Sequence, residues 1–372
     1  MNIKSLLLGS AAALLAVSGA RAADAVVVAE PEPAEYVKIC DVYGAGYFYI
    51  PGTETCLRIG GYVRYDIGGG DVGSFDGARS GDHMDDDSND TWRKKARFTL
   101  KTWTGQETEL GTLKTYTETR FNFSNHNADT SPLINEATND DTTSLNFAWI
   151  QLGGLRVGKD ESAFNTFIGY AGNVIQDTLV PYGGFDTNVI QYYFDAGNGF
   201  SAVVSLEEGS DFDTIDSYVP HVVGGVKWTQ GWGAITGVVS YDSNYEEVAG
   251  KVRLDVNATD AISLFIMGGY GSDDNLVDFD DGRGFYKQWG GNWAVWGGAT
   301  YKFNEKTSFN AQVSYDEDQN LGVAANIAYD IVPGLTVTAE VDYVNEGDSN
   351  WTGIPVGEDD AIGGILRFQR SF

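Results

Sequence analysis

The sequence predicts an all-β chain, a 16-stranded antiparallel transmembrane β-barrel, on three observations. From Leu57 to Phe372 apolar and polar residues alternate with period two, and little repeats at 3.6. The connections alternate between hairpin-scale turns and long acidic loops, which sends all the long loops to one end. The chain finishes on "GGILRFQRSF", a strand pattern that runs into the last residue, where chain ends normally fray. A barrel accounts for the third observation, because its last strand pairs with its first and leaves no sheet edge open in lipid.

Residues 1–22 come first, with Lys4, an apolar run from Leu6 to Val17, and small residues at Ala20 and Ala22. They read as a cleaved secretory signal. The run falls short of the roughly 20 apolar residues that span a bilayer, and no later stretch approaches that length. Residues 23–56 form an N-terminal segment that holds the only cysteines, Cys40 and Cys56. In the oxidising compartment that export implies, they pair into a disulfide that closes a loop of about 15 residues, worth about 3 kcal/mol in the chain-entropy model. They are not a C-x-x-C pair and have no histidine close in sequence, which argues against a redox or metal role.

The barrel takes residues 57–372. Its strands begin near Leu57, Arg93, Leu110, Ser144, Leu155, Asn188, Phe200, His221, Gly233, Val248, Ala261, Trp289, Ser308, Leu321, Leu335 and Ala361. In "LRIGGYVRYDI" Leu57, Ile59, Val63, Tyr65 and Ile67 take one face while Arg58, Tyr62, Arg64 and Asp66 take the other; "FNAQVSY" and "LTVTAEVDY" alternate the same way. The polar face is too polar for a sandwich core. Trp92, Trp103, Tyr193, Trp228, Trp232, Tyr241, Tyr245, Trp289, Tyr301, Tyr315, Tyr329 and Tyr343 fall at or near strand ends, where interfacial girdles place amphipathic rings.

Several motifs are set aside. "GGGDVG" (68–73) satisfies G-x-G-x-x-G, but no helical period follows to hold a pyrophosphate. "DHMDDDSND" and "DFDDGRG" lack the spacing of a calcium loop, so neither a cofactor nor a metal is expected. With Lys+Arg at 24 against Asp+Glu at 53, the net charge of -29 excludes nucleic acid as a partner. The histidines are His83, His126 and His221, none beside an evident serine in the sequence. A barrel hydrolase, which needs that pairing, is therefore a runner-up, together with a plugged structural or adhesive barrel.

At this point the sequence resembles a family. "CDVYGAGYFYIPGTETCLRIGGYVRYD", "ETELGTLKTYTETRFNF", "AWIQLGGLRVGKDESAFNTFIGY", "KVRLDVNATD", "KQWGGNWAVWGGATY" and the closing "GGILRFQRSF" are similar to the trimeric general porins of alphaproteobacterial type. The resemblance covers nearly the whole chain. It implies short periplasmic turns, long extracellular loops and a homotrimer in the outer membrane, in contact with lipid and lipopolysaccharide. It also implies passive diffusion of small hydrophilic solutes and a role for Phe372 in the signal read by the outer-membrane assembly machinery.

In that family the third long loop folds inward and narrows the pore. The matching stretch is "DESAFNTFIGYAGNVIQDTLVPYGGFDT", with Asp160, Glu161, Asp177 and Asp186 as its acids. Arg58, Arg64, Arg97, Lys114, Arg120 and Arg156 stand on nearby polar strand faces. Opposed charges across a narrow water-filled gap would set up a transverse field that favours polar solutes. The alternative is that these cations neutralise interior carboxylates such as Asp66, Glu118 and Asp255. The acidic balance points to mild cation preference, and the arginines pull the other way.

Overall fold

The structure, a computed structural model, describes residues 38–72, 77–82, 84, 88–126, 138–272, 284–347 and 360–372. The signal at 1–22, His83 and most of the two acidic loop stretches lie outside the described residues. One sheet of 18 strands contains the fold, and 16 of them close into a barrel. In chain order these are β1 (Cys56–Gly70), β2 (Ser88–Thr108), β3 (Gly111–His126), β4 (Thr138–Leu152), β5 (Leu155–Glu161), β6 (Asp186–Asp195), β7 (Phe200–Glu207) and β8 (His221–Gln230). They continue with β9 (Gly233–Asp242), β10 (Glu247–Asn257), β11 (Ile262–Gly271), β12 (Trp293–Asn304), β13 (Thr307–Asp316), β14 (Leu321–Val332), β15 (Leu335–Asn345) and β16 (Asp360–Ser371). Two short strands, Phe48–Tyr49 and Gly77–Gly81, pair against β1 and β2 without entering the closure.

Every barrel strand is antiparallel to its sequence neighbours, and β16 returns to β1 in register from Gly363↔Gly70 to Ser371↔Tyr62. Phe372 extends this seam. Its backbone N–H donates to the Gly61 carbonyl and the Gly61 N–H donates to the Phe372 carbonyl, both at 3.1 Å. A backbone polar group left open in hydrocarbon costs several kcal/mol, so the terminal aromatic is held by the ladder it completes. Gly61 sits at φ +156°, and a Cβ there would lie 2.0 Å from the Thr99 carbonyl oxygen, so this position takes only glycine.

The period-two pattern sorts as the sequence predicts. On β1 Ile59, Val63 and Tyr65 are exposed on the outer face, while Tyr62 and Asp66 are buried toward the lumen. At one end the strands join through turns no longer than four residues, at 109–110, 153–154, 196–199, 231–232, 258–261, 305–306 and 333–334. The opposite end carries the long connections, with two exceptions: 243–246 and 317–320 are tight turns there. The strict alternation of turn and long loop fails at these two because an aspartate ends each preceding strand and folds the chain back. Asp242 accepts from the Asn244 N–H at 3.0 Å, and Asp316 from the Asn320 N–H at 3.0 Å.

The aromatic expectation divides. Trp92, Trp228, Trp232, Tyr241, Tyr301 and Tyr329 are exposed side chains of the kind a girdle needs. Trp103 and Tyr193 instead face the lumen, each beneath an arginine, and Trp289 is fully buried in a loop segment folded into the barrel, with β12 beginning at Trp293. A barrel with an inward-folded loop has an interior to pack, and strand-end rings serve that interior as well as the interface.

Cys40 and Cys56 are joined, with their Cα atoms 6.0 Å apart. The stapled segment lies against β1 and β2 at the turn end. Tyr43 rests on Gly105 and its hydroxyl donates to Glu107 at 2.9 Å, while the Thr55 hydroxyl donates to Gln106 at 3.1 Å. The seam geometry makes a direct prediction. Gly61→Ala is expected to lower the yield of folded barrel, read as loss of the heat-dependent band shift on gels, whereas Gly231→Ala, with nothing within 4 Å of the new methyl, leaves it intact.

Candidate functional site

The connection between β5 and β6, residues 162–185, folds into the lumen and is fastened there. It opens with a one-turn helix, α1 (Ala163–Thr166), capped by Ser162, whose hydroxyl accepts from the Phe164 N–H at 3.1 Å. Glu207 on β7 accepts from the Ser162 hydroxyl at 2.6 Å and the Ala163 N–H at 2.9 Å. Lys251 on β10, fully buried, donates to Asn165 Oδ1 and to the Tyr182 carbonyl, both at 2.6 Å, with its ammonium 4.0 Å from the Phe164 ring centre. Arg253 reaches the Tyr170 carbonyl at 2.5 Å, Trp296 Nε1 the Val180 carbonyl at 2.7 Å, and Gln312 the Asp177 carbonyl at 2.9 Å. At the far end Glu340 accepts from the Gln176 N–H at 2.8 Å. Wall strands from β7 to β15 thus supply the side chains that hold the loop.

Apolar packing backs these bonds. Ala163, Phe164, Phe167, Ile168, Val180 and Tyr182 of the loop pack on Val203, Val223, Val238, Ala249, Met267, Ala294 and Trp296 of β7–β12. A second inward segment, 284–292, brings Phe285, Tyr286 and Trp289 into the same core, and the Gly184 N–H donates to the Phe285 carbonyl at 2.7 Å. The expectation of a polar inner face is therefore corrected for this half of the wall, which is apolar where a loop covers it. The signal was present as doublets such as Val222–Val223 in "HVVGGV", since a strand buried on both faces loses its alternation. The aromatic run "GFYKQW" inside an acidic loop was the mark of the second segment.

The other half of the wall, β1 to β5 with β16, remains polar. Arg64 on β1 stands directly opposite Arg97 on β2 in the register, and Arg120 on β3 opposite Thr99. Arg64 donates through Nε to Gln369 Oε1 at 2.8 Å, and Arg97 through Nε to Asn122 Oδ1 at 2.7 Å. The interior carboxylates are paired, one of them by an expected cation: Glu118 takes Arg120 at 2.8 Å and also Lys101 at 3.1 Å, while Asp66 is bound by Arg367 through two bonds at 2.7 and 3.0 Å. Asp255 is paired likewise, with Arg253 at 2.8 Å. Of the expected cations Arg120 thus pairs with one of the named carboxylates, whereas Asp66 and Asp255 are met by arginines outside the expected set.

Arg58 and Arg156 lie nearer the turn end, over aromatic rings. Arg58 is 4.3 Å from the Trp103 ring centre, and Arg156 is 4.0 Å from Trp149 and 4.9 Å from Tyr193. Between them Trp103 meets Tyr116 at 5.3 Å and Tyr116 meets Trp149 at 5.7 Å. The result is a belt of rings and guanidinium groups across six strands that is not legible in the sequence, because its members come from strand positions that only the register aligns. Lys114, on the lumen face of β3, is exposed at the same end.

The expected loop acids separate. Asp160 belongs to β5, is buried, and pairs with Arg156 at 2.7 Å. Asp186 opens β6 and pairs with Lys159. Glu161, the last residue of β5, accepts from the Tyr170 hydroxyl and lies within electrostatic range of Arg120. Only Asp177 is in the loop proper, where it accepts from the Tyr182 hydroxyl at 2.6 Å and burial pushes its carboxyl up to about 6.

His221 corrects one sequence expectation: Ser243 stands beside it, Oγ 3.2 Å from Nδ1. The ring is fully buried, Nδ1 accepts from the Ser243 N–H at 2.9 Å, and Nε2 lies 3.1 Å from the Asp213 carbonyl. These partners assign the neutral tautomer protonated on Nε2, so the 3.4 Å approach of Asp242 to Nδ1 is not a charged pair. The Ser243 hydroxyl itself donates to the Val219 carbonyl at 2.9 Å. A nucleophile–base–acid relay needs the carboxylate on the nitrogen away from the serine, and here both crowd Nδ1.

Comparison with known proteins is consistent with this geometry. Residues 24–365 match the family described as the Porin subfamily. The chain is 53% identical to Porin Omp2b of Brucella suis biovar 1 and to Porin Omp2b of Brucella abortus, over 385 aligned residues that cover 100% of each chain. The fold is similar to the outer membrane channel DcaP of Acinetobacter baumannii, with TM-score 0.59 and 15% identity over 87% of this chain and 99% of that one. It is also similar to Rhodopseudomonas blastica porin, with TM-score 0.53 and 13% identity over 85% and 100%.

The fastening of the loop predicts the outcome of cutting it. Lys251→Met keeps the buried stem but leaves Asn165 and the Tyr182 carbonyl without their donor, a loss of about 1–3 kcal/mol. The barrel is expected to fold, to unfold at lower urea, and to conduct in larger and noisier steps than wild type in planar bilayers.

Proposed function

We infer the working of this channel from one premise: the chain belongs to the Porin subfamily and is an outer-membrane porin. It crosses the outer membrane of a Gram-negative bacterium as a multi-pass β-barrel, with its turns taken as periplasmic and its long loops as extracellular. Small hydrophilic solutes diffuse passively through the lumen, past the loop 162–185. The observation that carries the reading is the division of the wall. The loop is fastened to β7–β15, while Arg64, Arg97 and Arg120 stand half-buried on the lumen face of β1–β3, Arg120 paired with Glu118.

The charges define the constriction. On the wall are Arg64, Arg97 and Arg120; across from them stand Glu161, Asp177 and Asp186, carried by the loop and the hairpin from which it springs. Fixed opposite charges across a narrow aqueous gap orient dipolar solutes and penalise apolar ones. Arg58, Lys114 and Arg156 serve the periplasmic exit, and Asp160 holds Arg156 in place. Family membership supports a homotrimer set in lipid and lipopolysaccharide, and Phe372 as part of the signal for the assembly machinery. The role is passage without catalysis: the only serine–histidine contact described, Ser243 with His221, is arranged as a buried brace.

A salt gradient tests the charge assignment. Asp177→Asn and Glu161→Gln are each expected to move the reversal potential toward anion preference, and an unchanged potential in both would remove the loop from the constriction. The pH dependence has a definite sign. With its carboxyl raised to about 6, Asp177 is ionised at pH 7.5 and loses its charge as pH falls through 6, so cation preference drops there in wild type and the step is absent in Asp177→Asn. Because the folded carboxyl binds its proton more tightly than an unfolded one, the same protonation also stabilises the fold at low pH, and that increment is lost as pH rises through 6.

A further inference from the structure

We propose that the cavity between the loop and β10–β12 is a binding subsite for a neutral pyranose, a single sugar ring that rests there during passage. The proposal rests on the channel reading and names a class of solute for it. Asp255 and Asn257 on β10 face the lumen with Arg253, and the register sets Phe265 and Ser263 of β11 opposite them, then Gly298 and Thr300 of β12. With Tyr170, Gly172 and Asn173 of the loop, these strands enclose about 300 Å³. That is the small end of the range that ligand pockets occupy, and it suits one sugar ring.

The chemistry of the lining selects the class. Its two charges, Arg253 and Asp255, are paired: Arg253 Nε donates to both carboxylate oxygens at 2.9 and 3.0 Å, and Nη1 donates to the Gly169 and Tyr170 carbonyls at 3.2 and 2.5 Å. Lys227 on β8 lies within electrostatic range of the pair without lining the cavity. An ionic solute therefore meets no unpaired counter-ion in this lining, and burying a charge without one is costly. A pyranose instead has a rim of uncharged hydroxyls and an apolar C–H face, and the lining offers a partner to each. Asp255 stays partly exposed and keeps acceptor capacity, and the exposed Asn257 and Ser263 side chains enter no described hydrogen bond. Asn173 gives Nδ2 to Thr300 Oγ1 at 2.9 Å and keeps Oδ1 open among the described hydrogen bonds. Phe265 supplies the apolar surface. Its half-buried ring rests on the wall at Gly298, where a Cβ would lie 2.4 Å from Cε1, and a C–H face packs on such a ring by dispersion.

The test reads binding and passage separately. Full-length refolded protein in deuterated detergent is titrated with D-glucose and followed by saturation-transfer NMR, for wild type, for Phe265→Leu and for Asn257→Ala with Ser263→Ala. Sorbitol, the open-chain hexitol, runs in parallel. Glucose is expected to saturate wild type, with its half-saturating concentration raised about tenfold in each variant and no saturation by sorbitol over the same range. The double variant changes only exposed side chains, so it reports on the site even where loss of the ring disturbs the fold. A wild-type half-saturating concentration in the double variant or in folded Phe265→Leu, or sorbitol that saturates as glucose does, overturns the subsite and leaves the channel standing. KCl conductance in planar bilayers is measured on the same wild-type preparation. Its absence from folded protein overturns the channel reading, while the glucose titration still decides whether the cavity binds a sugar.

Discussion

Hydrocarbon offers no hydrogen bonds, and the rest of this structure follows from that constraint. Each backbone group at membrane depth must find a partner in the chain, so the sheet closes and the seam between β1 and β16 carries the last of the unpaired backbone. Gly61 and Phe372 complete it by exchanging both of their backbone bonds. With closure fixed, the period-two pattern has only one meaning: one face is committed to lipid and the other to whatever fills the lumen.

The filling is asymmetric. On one side the loop 162–185 and the segment 284–292 pack against β7–β12 as the core of a soluble domain packs, with buried aromatics, a buried lysine and a helix cap. On the other side arginines are held by amides, carboxylates or rings and stay wet. A loop fixed by bonds to strands from β7 to β15 does not sample the lumen freely.

The barrel was legible in the sequence because strand alternation and turn residues are local signals; all sixteen strands appear, thirteen of them starting within two residues of the expected position, while β2 and β4 start five and six residues early, at Ser88 and Thr138, and β12 four residues late, at Trp293. The disulfide was legible from two cysteines and an export signal. That the expected cations share one wall was legible in the strand alternation, but their pairing was not. That Arg97 belongs with Asn122 and Arg156 with Asp160 depends on register and side-chain direction, which composition does not encode. The inward segment 284–292 was not legible: Trp289 fits the girdle pattern by its place near a strand end, yet it serves a core together with Phe285 and Tyr286. The two tight turns at the loop end were hidden for a similar reason, since one aspartate makes a turn only where its carboxylate meets the backbone two to four residues on.

The division of the inner wall has an evolutionary consequence. Substitutions among Val203, Val223, Met267 and Trp296 change how the loop is seated, so they alter stability and permeability together and are subject to both selections. On the proposed function, substitutions among Arg64, Arg97 and Arg120, which lie outside that packed core, alter mainly what passes. A lineage exposed to a new toxin or a new nutrient can therefore retune its outer boundary on β1–β3 and leave the buried half, with its loop and its fold, as inherited.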